Sequence, residues 1–192
     1  MRSLVNKKDK SKQNQWILGI FLIIVMLFSV LGYALGGGDN QDNKKIEYND
    51  IEFIQDNSEY WNFNIQGNNF MTKYNPEETK DISFFTYSQI NDYVSKPLYL
   101  VGKFQEPNYE IIRNLNNLVL RAQNACLSEK DCLDNLPIKN CSVDNIIVIQ
   151  EPLVETDKGN IYQQENCIFI TANLGNQTRY VDKFLFQILG IK

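Results

Sequence analysis

Residues 16–35 read WILGIFLIIVMLFSVLGYAL, twenty positions without one charged side chain. At about 1.5 Å of rise per residue, a helix of that length reaches across a hydrocarbon core roughly 30 Å thick. The run divides the chain into a basic tail (1–15), a transmembrane helix (16–35), a linker (36–45) and one larger domain (46–192). Arg2, Lys7, Lys8, Lys10 and Lys12 precede it, opposed only by Asp9; Gly36, Gly37, Gly38, Asp39, Asn40, Gln41 and Asp42 follow. Lys and Arg near a span stay on the cytoplasmic side, so the tail is expected inside the cell membrane and the domain outside it. Trp16 and Tyr33 sit near the two ends, where amphipathic rings favour the interface. The alternative is a cleaved signal peptide, with Gly32 and Ala34 as the small-residue site. Its apolar region would exceed the usual length of roughly 7–15 residues.

Beyond residue 35 the chain is long enough for one domain with a real core. It keeps 14 Lys and Arg against 22 Asp and Glu, a net charge of −8 within a total of −4. Such a domain repels phosphate backbones, so nucleic acid is not expected as a partner. The chain has no histidine. That removes Ser–His and Cys–His nucleophile activation and imidazole metal ligation together. No phosphate-binding loop is present, and no cofactor or metal is expected.

Cys126, Cys132, Cys141 and Cys167 all follow the apolar run, and an even number in an oxidising compartment reads as two disulfides. No CxxC occurs, which argues against zinc and against redox catalysis. Three connectivities are possible. Folding residues 145–150 against 161–171 as a hairpin about 152–159 brings Cys167 near Cys141, and leaves Cys126 to close a small loop with Cys132.

Period-two alternation from Ile46 to Tyr74 predicts an antiparallel meander, with turns at residues 56–58 and at Gly67-Asn68. Residues 88–95 are expected as a short helix and 97–102 as a buried strand. From Pro107 to Cys126, Ile111, Ile112, Leu115, Leu118, Val119 and Ala122 recur at helical spacing, which predicts a helix of about 20 residues. Residues 146–149 form a β-branched core strand. Residues 178–189 form a last helix stopped by Gly190. The fold class is therefore α+β: a mixed β-sheet, built from the meander, a βαβ unit and a hairpin, with two main helices on one face.

Some clusters suggest chemistry. Glu77, Glu78 and Asp81, with Glu151, Glu155 and Asp157, could serve hydrolysis if carboxylates faced one another across a cleft; acidic turn residues are more often simply solvated. Glu129, Asp131, Asp134 and Asn135 supply hard oxygens but lack the spacing of a calcium loop. Tyr60, Trp61, Phe63, Phe84, Phe85 and Tyr87 form either an aromatic platform or core. If Phe84 and Phe85 are exposed, they mark a partner surface. Asn140-Cys-Ser and Asn176-Gln-Thr fit the N-glycosylation pattern, although Asn176 is also placed to cap the last helix.

The stretch from Cys132 through Pro137 to Cys141, the strand at Asn166-Cys167-Ile168 and the terminal helix ending Leu189-Gly190 complete a pattern with the anchor and meander. The chain resembles small, uncharacterised single-pass membrane-anchored proteins of archaea. That resemblance covers most of its length, implies a disulfide-braced ectodomain and carries no activity. It does not extend to type IV pilins, whose apolar helix continues into the head domain; here Gly36, Gly37 and Gly38 interrupt it.

Three functions are consistent with these readings. The foremost is a non-enzymatic binding or assembly module of the cell envelope, whose partners are the lipid bilayer and another envelope or membrane protein. The second is a carboxylate-dependent hydrolase of cell-surface glycan or peptide. The third is an accessory subunit of a membrane complex that makes contact through its anchor, where Ser29, Gly32 and Gly36 permit close helix approach.

Overall fold

In the computed structural model of the chain, residues 9–36, 44–55, 59–103, 105–132, 135–154 and 159–191 are described, with the side chains of 9–14, 30–36 and 131 excepted. The chain divides into two units, Met1–Asp42 and Asn43–Lys192.

The first unit holds helix α1 (Asp9–Gly36). Its large side chains from Trp16 to Phe28 are exposed and apolar all round the helix. Among the described residues no helix is long and apolar enough to cross a membrane. The part of α1 with described side chains, residues 15–29, is itself shorter than the roughly 20 residues that a span takes.

The second unit is mixed α+β with two sheets rather than one. The first sheet is an antiparallel meander of β1 (Lys44–Tyr48), β2 (Ile51–Gln55), β3 (Trp61–Ile65) and β4 (Asn68–Thr72), ordered β1-β2-β3-β4. β1 begins inside the segment expected as linker. Its turn to β2 is Asn49-Asp50, with φ of 51° and 61°. The turn from β3 to β4 is Gln66-Gly67 and not Gly67-Asn68, since Ile65 pairs with Asn68. Two left-handed residues in succession (φ 51° and 83°) match strand twist, and this register sets Phe63 opposite Phe70. The turn expected at 56–58 lies outside the described residues.

The second sheet holds six strands in the order β5-β9-β10-β8-β6-β7. They are β5 (Phe84–Phe85), β6 (Pro97–Val101), β7 (Arg121–Asn124), β8 (Asn145–Gln150), β9 (Asn160–Gln164) and β10 (Cys167–Thr171). β6, β7, β8 and β10 run parallel, and β9 is antiparallel to β10. Only a single 3-10 turn, Ile90–Asp92, stands where residues 88–95 were expected as helix.

Two sequence expectations are corrected here. The helix opened by Pro107 is α2 (Gln105–Leu115), about half the expected length. Asn116 and Asn117 are poor helix formers, and β6 offers an open edge beyond them. The chain therefore leaves the helix at residue 116, donates from Leu120 N to Lys96 O and adds β7 alongside β6. Leu115 and Val119 still reach the core, which is why helical spacing misled. The second correction concerns residues 161–171. They break at Glu165-Asn166 into β9 and β10, and β8 pairs with β10 in parallel, not as a hairpin.

The expected disulfides nevertheless form. Cys141 is bonded to Cys167 and Cys126 to Cys132. The parallel register sets Cys167 opposite Ile146, a few residues after Cys141. Cys132 closes a loop that follows β7 and not a helix end.

Helix α3 (Gln177–Ile188) ends as expected. Gly190 has φ +80° and donates its N–H to Gln187 O, while Ile191 N–H reaches back to Phe186 O. This is a Schellman closure, and its usual apolar contact joins Ile191 and Phe186 in one cluster.

α2 and α3 cover one face of the six-stranded sheet, as predicted. Leu98, Leu100, Ile147, Ile149, Ile168 and Ile170 pack there with Ile111, Leu115, Val181, Phe184 and Ile188. A second cluster joins Phe53, Trp61, Phe63 and Phe70 of the meander to Phe186. α3 thus contributes to both.

Replacing Cys167 by Ser is expected to destabilise the domain more than replacing Cys132 by Ser. The chain-entropy estimate is about 3.5 kcal/mol for the longer loop and about 2.4 for the shorter. Chemical denaturation of the two variants under oxidising conditions checks the order.

Candidate interaction surface

β5 is only two residues long, yet it lies at one edge of the larger sheet. Its register decides where each ring points. Phe84 pairs with Ile161, a fully buried residue of the helix-covered face. Phe84 therefore lies toward the helices, and the Lys183 ammonium of α3 sits 5.1 Å from its ring centroid. Burial holds the Lys183 pKa below its ordinary value. Phe85 pairs with Tyr162 on the opposite face.

On that opposite face the pairing continues across five strands: Phe85 beside Tyr162, then Phe169, Val148 and Val101. Tyr162 and Phe169 stack with centroids 4.9 Å apart and planes 7° from parallel. Exposure falls from Phe85 to Val148, and Val101 is half-buried. Phe85 is 75% exposed, Tyr162 and Phe169 are half-buried, and Val148 is buried. Tyr87, beyond the strand, is 68% exposed, and Phe84 is 38% exposed. The condition placed on Phe84 and Phe85 is thus met: both rings reach solvent.

One side chain secures this edge. The Gln163 amide oxygen accepts from the Thr86 hydroxyl at 2.7 Å, the Tyr87 N–H at 3.2 Å, the Ser88 N–H at 3.1 Å and the Ser88 hydroxyl at 3.0 Å. Its amide nitrogen donates to Glu165 O at 2.9 Å, and the Tyr87 hydroxyl donates to that carbonyl at 3.3 Å. Sequence reading missed Gln163, Tyr162 and Phe169. The alternation of Phe169 between Ile168 and Ile170 was the available signal, because period two sends the ring away from both isoleucines.

The remaining expected aromatics separate. Trp61 and Phe63 are core of the meander, and Tyr60 lies under the Arg113 guanidinium at 4.4 Å. The carboxylates at Glu77, Glu78, Asp81 and Glu151 are exposed, and those at Glu155 and Asp157 lie outside the described residues. Glu78 accepts from the Asn75 N–H at 2.8 Å. Asp81 pairs with Arg179, which holds its carboxyl below the usual range. Asp134 of the oxygen-rich loop is not described; among the described residues no group of three His, Cys, Asp or Glu is placed to hold a metal.

Asn140 is exposed, with its side-chain oxygen accepting from the Ser142 N–H and hydroxyl. Asn176 is exposed too, but makes no side-chain capping bond. Its backbone is already helical (φ −110°, ψ −8°), not the extended form in which a cap side chain reaches the next turn. An open depression of about 450 Å³ lies between Trp61, Tyr74 and the side chains of Lys44, Lys73, Glu59 and Glu78. Its charges balance, and Lys73 is engaged with Glu106 at 2.8 Å.

Gln163→Ala is expected to free residues 86–88 from β9 without unfolding the domain. Losing an acceptor shared by four donors costs on the order of 1–3 kcal/mol locally. Faster hydrogen exchange at the Ser88 amide, with β8 protection unchanged, checks it. Family models, curated proteins and solved structures yield no match to this chain.

Proposed function

We propose that this chain is a single-pass envelope protein whose C-terminal domain is a non-enzymatic binding or assembly module. Its N-terminus is cytoplasmic and its domain extracytoplasmic. Support for the anchor comes from the charge-free run 16–35, the five bases before it and the helical path of α1 through it. The two disulfides fit an oxidising compartment.

The observation that carries the binding reading is the exposed aromatic edge. Phe85 and Tyr87 project from an ordered strand end held by Gln163, where a soluble surface would place polar side chains. An acidic domain with that edge suits an envelope or membrane protein as partner, and not a nucleic acid. Asn176 and Asn140 are offered as glycosylation positions on the same reading. Nothing specific in the geometry favours the hydrolase alternative or contact through the anchor.

Protease added to intact cells is expected to remove the mass beyond residue 38 and to spare the tail; loss of the tail would reverse the orientation. A photo-activated cross-linking residue at position 85 is expected to give a discrete protein adduct in the intact envelope. The same residue at position 52 serves as the exposed control. Phe85→Ser should change stability by no more than about 0.5 kcal/mol, as expected for an exposed position, while abolishing the association. Turnover of glycan or peptide by the purified protein, lost on carboxylate substitution, would overturn the non-enzymatic reading.

A further inference from the structure

Two carboxyl groups are buried together between α2 and α3. Asp182 of α3 is 0% exposed and Glu110 of α2 is 1% exposed. Each has one oxygen with an identified donor. Asp182 Oδ2 accepts from the Tyr74 N–H at 2.9 Å, just beyond β4, and Glu110 Oε2 meets the Arg113 guanidinium at 3.1 Å. Each also has one buried oxygen without a hydrogen-bond partner, Asp182 Oδ1 and Glu110 Oε1. The two helices pack on each other, and each carboxyl acts directly on the other. Two ionised carboxylates in contact without water would repel, and two orphaned buried acceptors are costly. One proton held by the pair removes both difficulties.

We propose that Asp182 carries that proton and donates it to Glu110, so that an acid–carboxylate pair clasps α3 to α2 and to the end of β4, and that the clasp weakens as pH rises. The assignment follows from the neighbours. Glu110 has a cation, Arg113, on its other oxygen and is the natural carboxylate. Asp182 accepts only from a neutral backbone N–H, that of Tyr74, and the Lys73 backbone acts on both carboxyls alike. The further charge that acts on the pair is Glu106 on α2, which is itself paired with Lys73 at 2.8 Å. Burial, then the Glu110 charge, holds the Asp182 pKa well above the ordinary carboxyl value; burial also raises that of Glu110, against the pull of Arg113.

The sign of the pH effect is fixed by proton counting. Above the unfolded Asp pKa of about 4, the native state keeps a proton that the unfolded chain has released. Stability therefore falls as pH rises, by up to about tenfold in the folding equilibrium per pH unit, until the native pair itself titrates.

The test uses the full chain in mild detergent, with denaturant unfolding from pH 5 to pH 8. Asn at position 182 can accept from Tyr74 and donate to Glu110, reproducing the protonated acid without its titration. Asp182→Asn is expected to flatten the slope, matching the parent near pH 5 and exceeding its stability at pH 8. Glu110→Gln removes the second cause, the Glu110 charge, and should lessen the slope; it serves if the first variant fails to fold. Infrared spectra of the parent at pH 7 should show a protonated-carboxyl stretch that Asp182→Asn lacks. An unchanged slope in both variants, or no such band in the parent, overturns the proposal.

Discussion

Burial of α3 on two sides is the constraint on which the rest of the domain depends. Val181, Phe184, Leu185 and Ile188 enter the core of the six-stranded sheet, while Phe186 enters that of the meander. A four-stranded meander has one apolar face and cannot stabilise itself in isolation from a covering layer. Phe186 lies among its rings, 5.9 Å from Phe63 and 6.0 Å from Phe53, so the helix that covers one sheet also supplies a ring to the other. The Schellman closure at Gly190 extends that role by folding Ile191 back onto the same aromatic cluster.

Polar groups fix the register of that packing where apolar surface would let it slide. Asn114 of α2 exchanges two hydrogen bonds of 2.8 Å with the backbone of Met71, matching its amide to an outer peptide group of β4. That pairing covers an edge that would otherwise offer itself to another strand. Asp182 does the same for the Tyr74 N–H one turn of chain later. Gly159 sets a further limit, since a Cβ there would overlap Thr171 O and press on the Tyr180 ring. These contacts specify one arrangement of helices and strands, and all of them join residues distant in sequence.

The outer face of the larger sheet is covered unevenly, and that unevenness produces the candidate surface. Tyr99, Ile146, Val148 and Cys167 form a buried cluster with Ala125, partly beneath the segment that the disulfides hold. Arg121 donates to the Tyr99 hydroxyl at 2.9 Å, and Lys139 lies 4.1 Å from its ring centroid. Toward β5 that cover ends, and the aromatic row comes out to solvent at Phe85. A short strand end is also where a sheet can tolerate exposed apolar side chains without presenting a long unpaired edge.

Local chemistry determined much of this in advance. Alternation marked β3, short apolar runs marked β6 and β8, and a Gly with helical spacing marked α3, because each of these signals is written in neighbouring residues. The Cys141–Cys167 pairing expected from a hairpin forms through a different topology, because the parallel β10 brings Cys167 to the same place. Three matters were decided only by tertiary structure. The stretch after Leu115 became β7 because the open edge of β6 outweighed a weak helical preference. Phe85 reached solvent while Phe63 did not, although both read as either platform or core, because covering layers come from elsewhere in the chain. Glu110 and Asp182 carry no local signal that separates them from other charged residues of the two helices. Only the packing of α2 on α3 removed water from both, and a carboxyl group's chemistry depends on that water.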